Sequence, residues 1–347
     1  MQTLTIRQAK EFQANIIKNK IYTPVMYWGP SGVGKSSMLR SVAADHDLGY
    51  EDIRLGQHTP LTLLGLPAGQ THNFGTEENP VFDQATRYAR PVMFPRTSGH
   101  LINWDEINMA PPTMVGLMQQ VLLDRRMGDY VLPDNTFQTA AGNDKSDGAA
   151  VFEMPATVNN RLIHVSVMHT VEEWIAHALR HGFNEQIISF IKFKSEYLHK
   201  YERTEKAWPS PRSWETASRL VSAGMDIEGS VGTPIAAEFR SFQTLLNEMP
   251  NAQSVLDGEN VKMPVKMELK YALITSMAVR TESGIHLDNG CKWLDSHPEQ
   301  LALYINLLMQ RLGKTEKFTN IIKDATANGS TVALKAMRQA NMVANTR

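Results

Sequence analysis

The chain has 347 residues, which is enough for about two domains with a sizeable core. Hydrophobic residues make up 42% and charged residues 20%, which is typical of a globular protein and excludes a disordered one. Lysine and arginine number 35 and aspartate and glutamate 36, so the formal net charge is -1. This balance argues against a surface coated for nucleic acid or for an anionic membrane. The single cysteine, Cys291, excludes an internal disulfide and a cysteine metal cage.

No feature of the sequence predicts export or insertion into a membrane. The most apolar run, 301–309, is too short to span a bilayer and is interrupted by Tyr304 and Asn306. The first residues of the chain lack the apolar core of a signal peptide. Together with a single thiol, these features favour a cytoplasmic location.

Short apolar runs alternate with helical patterns over the first half of the chain, which predicts an α/β domain with a parallel sheet. The run 25–28 follows Pro24 and is continuously apolar, as expected for a strand covered on both faces. The predicted strands are 25–28, 50–55, 101–105, 137–141 and 163–167, and the predicted helices are 35–44 and 112–123. The segment 67–95 is rich in glycine, asparagine, proline and threonine and is interpreted as an insertion or a loop with a hairpin.

From residue 170 onward, apolar residues recur at helical spacing and no further buried strand is predicted. The predicted helices are 171–180, 212–223, 234–248, 266–279, 298–312 and 332–342. We therefore expect an α/β domain over residues 1–169 and an all-helical domain over residues 170–347 that ends in a helical extension.

A phosphate-binding loop is predicted between the first of these strands and the first helix. Residues 29–36 fit the pattern G-x-x-x-x-G-K-[ST] in the strand–loop–helix context that it requires. The glycines let successive backbone N–H groups converge on phosphate oxygens. Lys35 is predicted to bring a positive charge to the β- and γ-phosphates, and Ser36 a hydroxyl ligand for Mg²⁺. The candidate nucleotide-binding residues of this loop are Gly29, Pro30, Ser31, Gly32, Val33, Gly34, Lys35, Ser36 and Ser37.

Two further strands end in polar side chains suited to nucleotide hydrolysis. Asp105 and Glu106 lie at a strand's carboxyl end, the edge at which α/β sheets bind ligands. Asp105 is a candidate metal ligand acting through water, and Glu106 a candidate base that polarises the attacking water. Asn143 ends another strand and is a candidate partner of the γ-phosphate and of that water. A turn asparagine that caps the next segment is the alternative interpretation.

Three segments together resemble the MoxR-type AAA+ ATPases, a branch related to the McrB and midasin AAA modules. They are 28–36 with the phosphate loop, 105–112 with the string Asp-Glu-Ile-Asn-Met-Ala-Pro-Pro, and 141–143. The second string is much more specific than the phosphate loop itself. The resemblance continues through 122–130, 159–162 and 208–214, and so extends over residues 1–225.

The resemblance implies a ring, usually a hexamer, with ATP and Mg²⁺ bound between neighbouring subunits. Arg161 matches the arginine finger that stabilises charge on the γ-phosphoryl group in the neighbour's site, and a locally paired surface arginine is the alternative. Arg212 matches the sensor-2 arginine of the helical lid. The resemblance also implies a protein client and a partner with a von Willebrand factor A-like (VWA) domain. Where the family often has threonine after the lysine, this chain has Ser36, which also offers a hydroxyl.

Several other residues keep two interpretations. Arg125 and Arg126 fit either a subunit interface or the solvated end of a helix. The segment 72–74, with His, Asn and Phe, fits either the tip of a pore hairpin or an ordinary surface loop. His164 and His169 are interpreted as core or surface histidines and not as metal ligands.

These predictions favour an ATP-hydrolysing ring that remodels or activates a protein client. The alternative is a nucleic-acid-associated AAA+ motor in a restriction, defence or DNA-processing complex, against which the near-neutral charge counts mildly. Glu106, Asn143 and Arg161 together argue against a nucleotide-dependent switch with negligible turnover. A small-molecule kinase is disfavoured because the adjacent Asp-Glu pair suits activation of water.

Overall fold

The sheet of the first unit pairs strands that are far apart in the sequence. In this computed structural model, which describes residues 1–143, 152–202, 205–313 and 315–327, the chain divides into the compact units Met1–His169 and Thr170–Arg347. The strands are β1 (Gln2–Thr5), β2 (Val25–Trp28), β3 (Gly49–Arg54), β4 (Pro67–Asn73), β5 (Phe82–Tyr88), β6 (His100–Asp105), β7 (Arg126–Met127), β8 (Tyr130–Val131), β9 (Thr136–Gly142) and β10 (Ile163–Met168). A six-stranded parallel sheet has the order β1-β10-β2-β9-β6-β3. Two antiparallel hairpins, β4–β5 and β7–β8, lie outside it.

Helices cover both faces of this sheet, and that is why β2 is apolar at every position. The helices of the first unit are α1 (Ile6–Lys18), α2 (Lys35–Asp45), α3 (Pro60–Leu64), α4 (Pro112–Asp124) and α5 (Ala156–Asn159). Val25 and Tyr27 belong to one core with residues of α1 and α2, whereas Met26 belongs to the other, with residues of α4. Each fully buried apolar side chain stabilises the fold by about 1.5–3 kcal/mol, so this central strand is a firm anchor for the loop that follows it.

The first strand and helix were not predicted from the sequence. β1 lies at the edge of the sheet and offers a single apolar side chain, Leu4, so no strand pattern is visible. The helix that follows is well defined, because Thr5 and Gln8 form a capping box in which each side chain accepts from the other residue's backbone N–H. Its buried residues, Ala9, Gln13, Ile16 and Ile17, have helical spacing.

The second unit is helical. Its helices are α6 (Val171–Arg180), α7 (Glu185–Phe193), α8 (Pro211–Ser222), α9 (Glu228–Val231), α10 (Thr233–Leu246), α11 (Ala252–Leu256), α12 (Met267–Arg280), α13 (Gly284–Trp293), α14 (Pro298–Leu312) and α15 (Glu316–Ala327). They pack around a single core that includes Phe190, Trp214, Phe239 and Tyr304. The part of this unit that the structure describes contains no strand.

The predicted fold class, an α/β domain with a parallel sheet followed by an all-helical domain, is confirmed. The five predicted strands form within one or two residues of their expected ends, and segment 67–95 contains the β4–β5 hairpin. Beyond α1, the helices that were not predicted are α3, α5, α7, α9, α11, α13 and α15. The predicted helix 332–342 lies outside the described residues. Over the described ranges, none of the helices has both the length and the apolar character needed to cross a membrane.

Candidate functional site

The predicted phosphate loop joins β2 to α2 at the carboxyl edge of the parallel sheet. β2 lies between β10 and β9, so the loop begins beside the ends of both strands. Gly29 has a φ of +153°, and a Cβ atom built on it would lie 2.4 Å from the carbonyl oxygen of Val167 in β10. A side chain at this position would have to displace the backbone of β10. The step from strand to loop therefore requires glycine.

We expect Gly29→Ala to destabilise the first unit by about 1–3 kcal/mol and to weaken nucleotide binding, because the added carbon must move Val167. Gly116→Ala is a matched control in α4, where a Cβ atom meets nothing within 4 Å. Alanine is favoured over glycine inside a helix by roughly 0.5–1 kcal/mol, so this control should keep or raise the melting temperature. Thermal unfolding of both variants checks the difference. A wild-type melting temperature for Gly29→Ala would contradict the close approach.

Lys35, the first residue of α2, is buried against the loop that precedes it, with 7% of the residue exposed. Its Nζ donates to the carbonyl oxygens of Gly29 at 2.6 Å and Pro30 at 3.0 Å. It also donates to Oδ1 of Asn143 at 3.1 Å, which links the loop to the end of β9. These three acceptors are neutral, so charged phosphate oxygens are stronger partners for the ammonium group.

Ser36 and Asp105 form the candidate metal site. The Ser36 hydroxyl donates to Oδ2 of Asp105 at 3.2 Å, between the first turn of α2 and the end of β6. Mg²⁺ is ordinarily held by one or two carboxylates together with waters and substrate phosphates. Among the residues that the structure describes, no group of three His, Cys, Asp or Glu side chains could hold a metal. The residues present therefore fit a Mg²⁺ ion that arrives with a nucleotide and do not form an all-protein cage.

The charge of Asp105 is disfavoured by its surroundings. Burial raises the pKa of its carboxyl above the ordinary value, and the negative charges of Asp52 and Glu106 raise that pKa further. The Ser36 hydroxyl and the Glu106 N–H, which donates to Oδ1 at 3.1 Å, lower it. A cation bound at Ser36 and Asp105 would relieve the repulsion between the carboxylates.

We expect Asp105→Asn to raise the melting temperature of the nucleotide-free protein at neutral pH. A carboxyl whose pKa is raised on folding stabilises the protein at low pH, and this stability is lost as the pH rises through the folded-state pKa. The gain is a few degrees at most, as for about 1 kcal/mol in a domain of this size. Calorimetry at pH 5 and pH 8 checks the sign, because the advantage of the variant should grow with pH. An advantage that shrinks with pH would contradict the raised pKa.

Glu106 turns the chain sharply after β6. Its φ of +53° is in the left-handed region, which is uncommon for a residue other than glycine and costs on the order of 1 kcal/mol. The buried side chains of Ile107 and Asn108, in the 3₁₀ turn that follows, fix this conformation. Glu106 is half-buried and adjoins Asp105 at the edge of the sheet where the loop lies. The candidate base and the candidate metal ligand are therefore side by side.

The backbone of Asn143 is held by a residue to which the sequence analysis gave no role. Asn108 donates through Nδ2 to the Asn143 carbonyl oxygen at 2.8 Å and accepts from the Asn143 N–H at Oδ1, at 3.3 Å. A Cβ atom on Gly142 would lie 2.8 Å from this same Oδ1. Asn108 therefore positions the side chain that contacts Lys35. Its place in the specific string 105–112 was the available signal.

A polar network behind Ser36 and Asp105 was also missed. Tyr50 donates its hydroxyl to the Ser36 carbonyl oxygen at 3.3 Å and lies 3.4 Å from Oδ1 of Asp52. That carboxylate oxygen accepts from Asn103 Nδ2 at 2.9 Å, and the Thr139 hydroxyl lies 3.2 Å from Asn103 Oδ1. The network links β3, β6 and β9 to the first turn of α2. A polar Asn103 inside an apolar strand was the signal, since buried polar side chains need partners.

Arg161 lies between α5 and β10 and is half-buried. Its Nη1 donates to the Thr157 carbonyl oxygen at 3.1 Å and to Gln119 Oε1 at 3.4 Å. Gln119 in turn donates to the Thr157 hydroxyl at 2.8 Å, so Arg161 is hydrogen-bonded to residues of both α4 and α5, which also contact each other. Because a guanidinium carries five N–H donors, these two bonds leave donors for an anion. The action of Arg161 in a neighbour's site stays a prediction.

Arg125 and Arg126 have unlike surroundings. Arg125 donates to the carbonyl oxygens of Thr136 at 2.7 Å and Pro133 at 3.0 Å, and it lies 4.7 Å from the ring centre of Tyr22. It therefore joins the end of α4 to the segment between β8 and β9. Arg126 is exposed and donates to the Gly128 carbonyl oxygen at 2.8 Å.

Arg212 and Phe74 are exposed, whereas Asn73 is half-buried. Arg212 lies in the first turn of α8 in the second unit, and its sensor role stays a prediction. At the tip of the β4–β5 hairpin, Asn73 Oδ1 accepts from the N–H groups of Gly75 at 2.9 Å and Val81 at 2.8 Å, so this residue shapes the turn. Phe74, at 60% exposure, remains compatible with either interpretation of the segment.

The first unit is thus a parallel α/β fold that carries a loop of the pattern G-x-x-x-x-G-K-S, with Lys35, Ser36, Asp105 and Asn143 in contact at the carboxyl edge of its sheet. No protein-family model matches the sequence. A curated relative, the chloroplastic ATP-dependent Clp protease ATP-binding subunit ClpA homolog of Brassica napus, is 32% identical over 117 residues, which are 31% of this chain. The match covers 12% of that relative's length, so its activity as a whole protein does not transfer directly.

Solved structures that match this chain have low identity to it and TM-scores below 0.5. NtrX of Brucella abortus in complex with ADP is 15% identical with a TM-score of 0.39, over 94% of this chain and 67% of that one. RuvB, the Holliday junction branch migration motor of Thermotoga maritima, is 12% identical with a TM-score of 0.33, over 93% of this chain and 86% of that one. The ADP and the branch migration activity belong to those proteins.

Proposed function

We propose that the chain is an AAA+ ATPase of the MoxR type that binds ATP with Mg²⁺ and hydrolyses it. The observation that carries this proposal is the convergence, at one sheet edge, of the loop amine of Lys35, the Ser36–Asp105 pair and the Asn143 amide. Glu106 adjoins this group. An amine, a hydroxyl–carboxylate pair, a further carboxylate and an amide are the parts that phosphoryl transfer to water requires.

The reaction follows from what each side chain can do. Lys35 exchanges its neutral acceptors for β- and γ-phosphate oxygens and offsets their charge. Glu106 accepts a proton from water as the water oxygen bonds to the γ-phosphorus and the bond to the β–γ bridging oxygen breaks. Asn143, which already contacts the Lys35 amine, hydrogen-bonds the γ-phosphate and orients the water. Ser36 and, through water, Asp105 would hold Mg²⁺, which would supply positive charge to offset that of the phosphates.

The proposal extends to assembly. The chain forms a cytoplasmic ring, a hexamer by the family resemblance, in which Arg161 of one subunit completes the site of the next and Arg212 contacts nucleotide. The ring remodels or activates a protein client together with a VWA-domain partner. The formal net charge of -1 supports a protein client over nucleic acid, because nucleic-acid binding relies on clustered cations.

Steady-state ATP hydrolysis by the full chain tests the activity, with Lys35→Ala and chelated Mg²⁺ as controls. Turnover that needs both Lys35 and Mg²⁺ supports the proposal, and turnover in their absence contradicts the assigned site. Measuring ATP hydrolysis with added duplex DNA at two salt concentrations distinguishes a protein client from a nucleic-acid client. Stimulation that falls steeply with salt would replace the protein client by nucleic acid, since counterion release makes such binding salt-dependent.

A further inference from the structure

His164 connects two parts of the first unit that both adjoin predicted functional residues. Nε1 of Trp28 donates to Nδ1 of His164 at 2.9 Å, and Nε2 of His164 lies 2.8 Å from the Asn159 carbonyl oxygen. An indole N–H only donates, so Nδ1 is the acceptor, and the ring's own hydrogen is on Nε2 and is donated to Asn159. The two ring planes differ by 14°, which suits this in-plane bond. Both nitrogens are thus engaged and one neutral tautomer is fixed.

Each hydrogen-bond partner of His164 lies close in the sequence to a predicted functional residue. Trp28 is the last residue of β2 and directly precedes Gly29 of the phosphate loop. Asn159 is the last residue of α5 and lies two positions before Arg161. The two hydrogen bonds of His164 therefore link the residue that precedes the phosphate loop to the segment that carries Arg161.

The segment before Arg161 depends on such tethers. α5 has 4 residues, and a helix this short is unstable without tertiary contacts. The bond from His164 holds its last carbonyl oxygen, and Asn159 Nδ2 donates to the Met154 carbonyl oxygen at 3.2 Å. Arg161 in turn donates back to Thr157, inside the same short helix. A shift of the Asn159 carbonyl oxygen therefore carries Arg161 with it.

We propose that His164 is a positioning residue for Arg161, which it holds in place relative to the subunit's own phosphate loop through Trp28. The inference rests on the proposed function, in which Arg161 completes the neighbour's site. His164 itself touches no substrate. It sets where the guanidinium stands, and a catalytic group displaced by about 1 Å can lose on the order of 100-fold in rate.

Two substitutions separate the hydrogen bonds from the bulk of the ring. We expect His164→Leu, which removes both bonds, to lower kcat about 10- to 100-fold while ATP affinity changes by less than about twofold. His164→Gln retains an amide acceptor for Trp28 and an amide donor for Asn159, so it should restore most of kcat. Fluorescent-nucleotide titration gives the affinity, and the melting temperature verifies that each variant is folded. If His164→Gln is as impaired as His164→Leu, the hydrogen bonds do not set the rate.

Mixed rings identify the site at which His164 acts. In a mixture of His164→Leu and Lys35→Ala subunits, the first supplies an intact phosphate loop and the second a well-placed Arg161. Each mutant alone is impaired, and a one-to-one mixture should recover up to about a quarter of wild-type turnover, the share of interfaces that combine both intact halves. If His164→Leu does not fold, His164→Asn replaces it, because its shorter amide cannot reach both partners.

The same mixture made with Arg161→Ala in place of the His164 variant distinguishes the outcomes. Recovery in both mixtures supports the positioning role. Recovery with Arg161→Ala alone overturns that role and leaves the shared site standing, because the His164 defect then lies in its own subunit's loop. Recovery in neither mixture overturns the shared site itself, and the role of His164 with it.

Discussion

Glu106→Gln is expected to bind ATP normally and to hydrolyse it at least about 100-fold more slowly than the wild-type chain. The amide has nearly the shape of the carboxylate but does not accept a proton from water. It also removes a negative charge that raises the pKa of Asp105, so the candidate metal ligand is not impaired. Phosphate release measures the loss of turnover, and fluorescent-nucleotide titration measures the unchanged ATP affinity.

The same variant should keep assembled rings and client in the ATP-bound state. Size-exclusion chromatography with ATP should show a larger species than without it, and affinity capture followed by mass spectrometry should identify the client and a VWA-domain partner. Glu11→Gln, an exposed isosteric change in α1, is the matched control and should behave as wild type. Normal turnover in Glu106→Gln would contradict its assignment as the base.

Arg161→Ala is expected to lose on the order of 1,000-fold in turnover with ATP affinity nearly unchanged, as for other arginines that stabilise a phosphoryl transition state. In the proposed function the arginine belongs to the neighbour's site, so mixing this variant with Lys35→Ala should restore activity that neither has alone. Titrating one variant against the other at constant total protein gives the measurement. A maximum at an intermediate ratio indicates sites shared between subunits.

Arg180→Ala is the matched control for this experiment. Like Arg161, Arg180 donates to a carbonyl oxygen four residues earlier, that of Ala176 at 3.0 Å, but it lies in α6 of the second unit and is exposed. Its substitution removes an equal charge and an equivalent local bond. Loss of turnover in Arg180→Ala of the same size would show a general charge effect, and full activity of Arg161→Ala would contradict the arginine finger.

The sequence was sufficient for features that depend on local pattern. β2 and β6 are buried on both faces, so β2 is apolar throughout and β6 is apolar from 101 to 104 except at Asn103. The ends of both strands could therefore be placed, together with Gly29, Asp105 and Glu106. β1 lies at the edge of the sheet with one apolar residue, and it gives no comparable pattern.

Features that depend on strand order could not be predicted in this way. Asp52 reaches Asn103 because β3 pairs with β6, and His164 reaches Trp28 because β10 pairs with β2. These pairs are 51 and 136 residues apart in the sequence, and neither local segment contains a pattern that indicates its partner. Arg161 was found through the family resemblance, whereas its contacts with Gln119 and Thr157 required the packing of α5 on α4.

The hydrogen bonds of Lys35 have a consequence for which ligands the proposed site accepts. An incoming molecule must compete with the carbonyl oxygens of Gly29 and Pro30 and with the amide of Asn143 for one ammonium group. A nucleoside without phosphates offers only neutral oxygens, so it gains nothing by displacing acceptors of the same kind. A triphosphate offers charged oxygens, which form stronger hydrogen bonds with the ammonium group than these neutral acceptors do. In the proposed site, Lys35 would therefore favour polyanions over bare nucleosides.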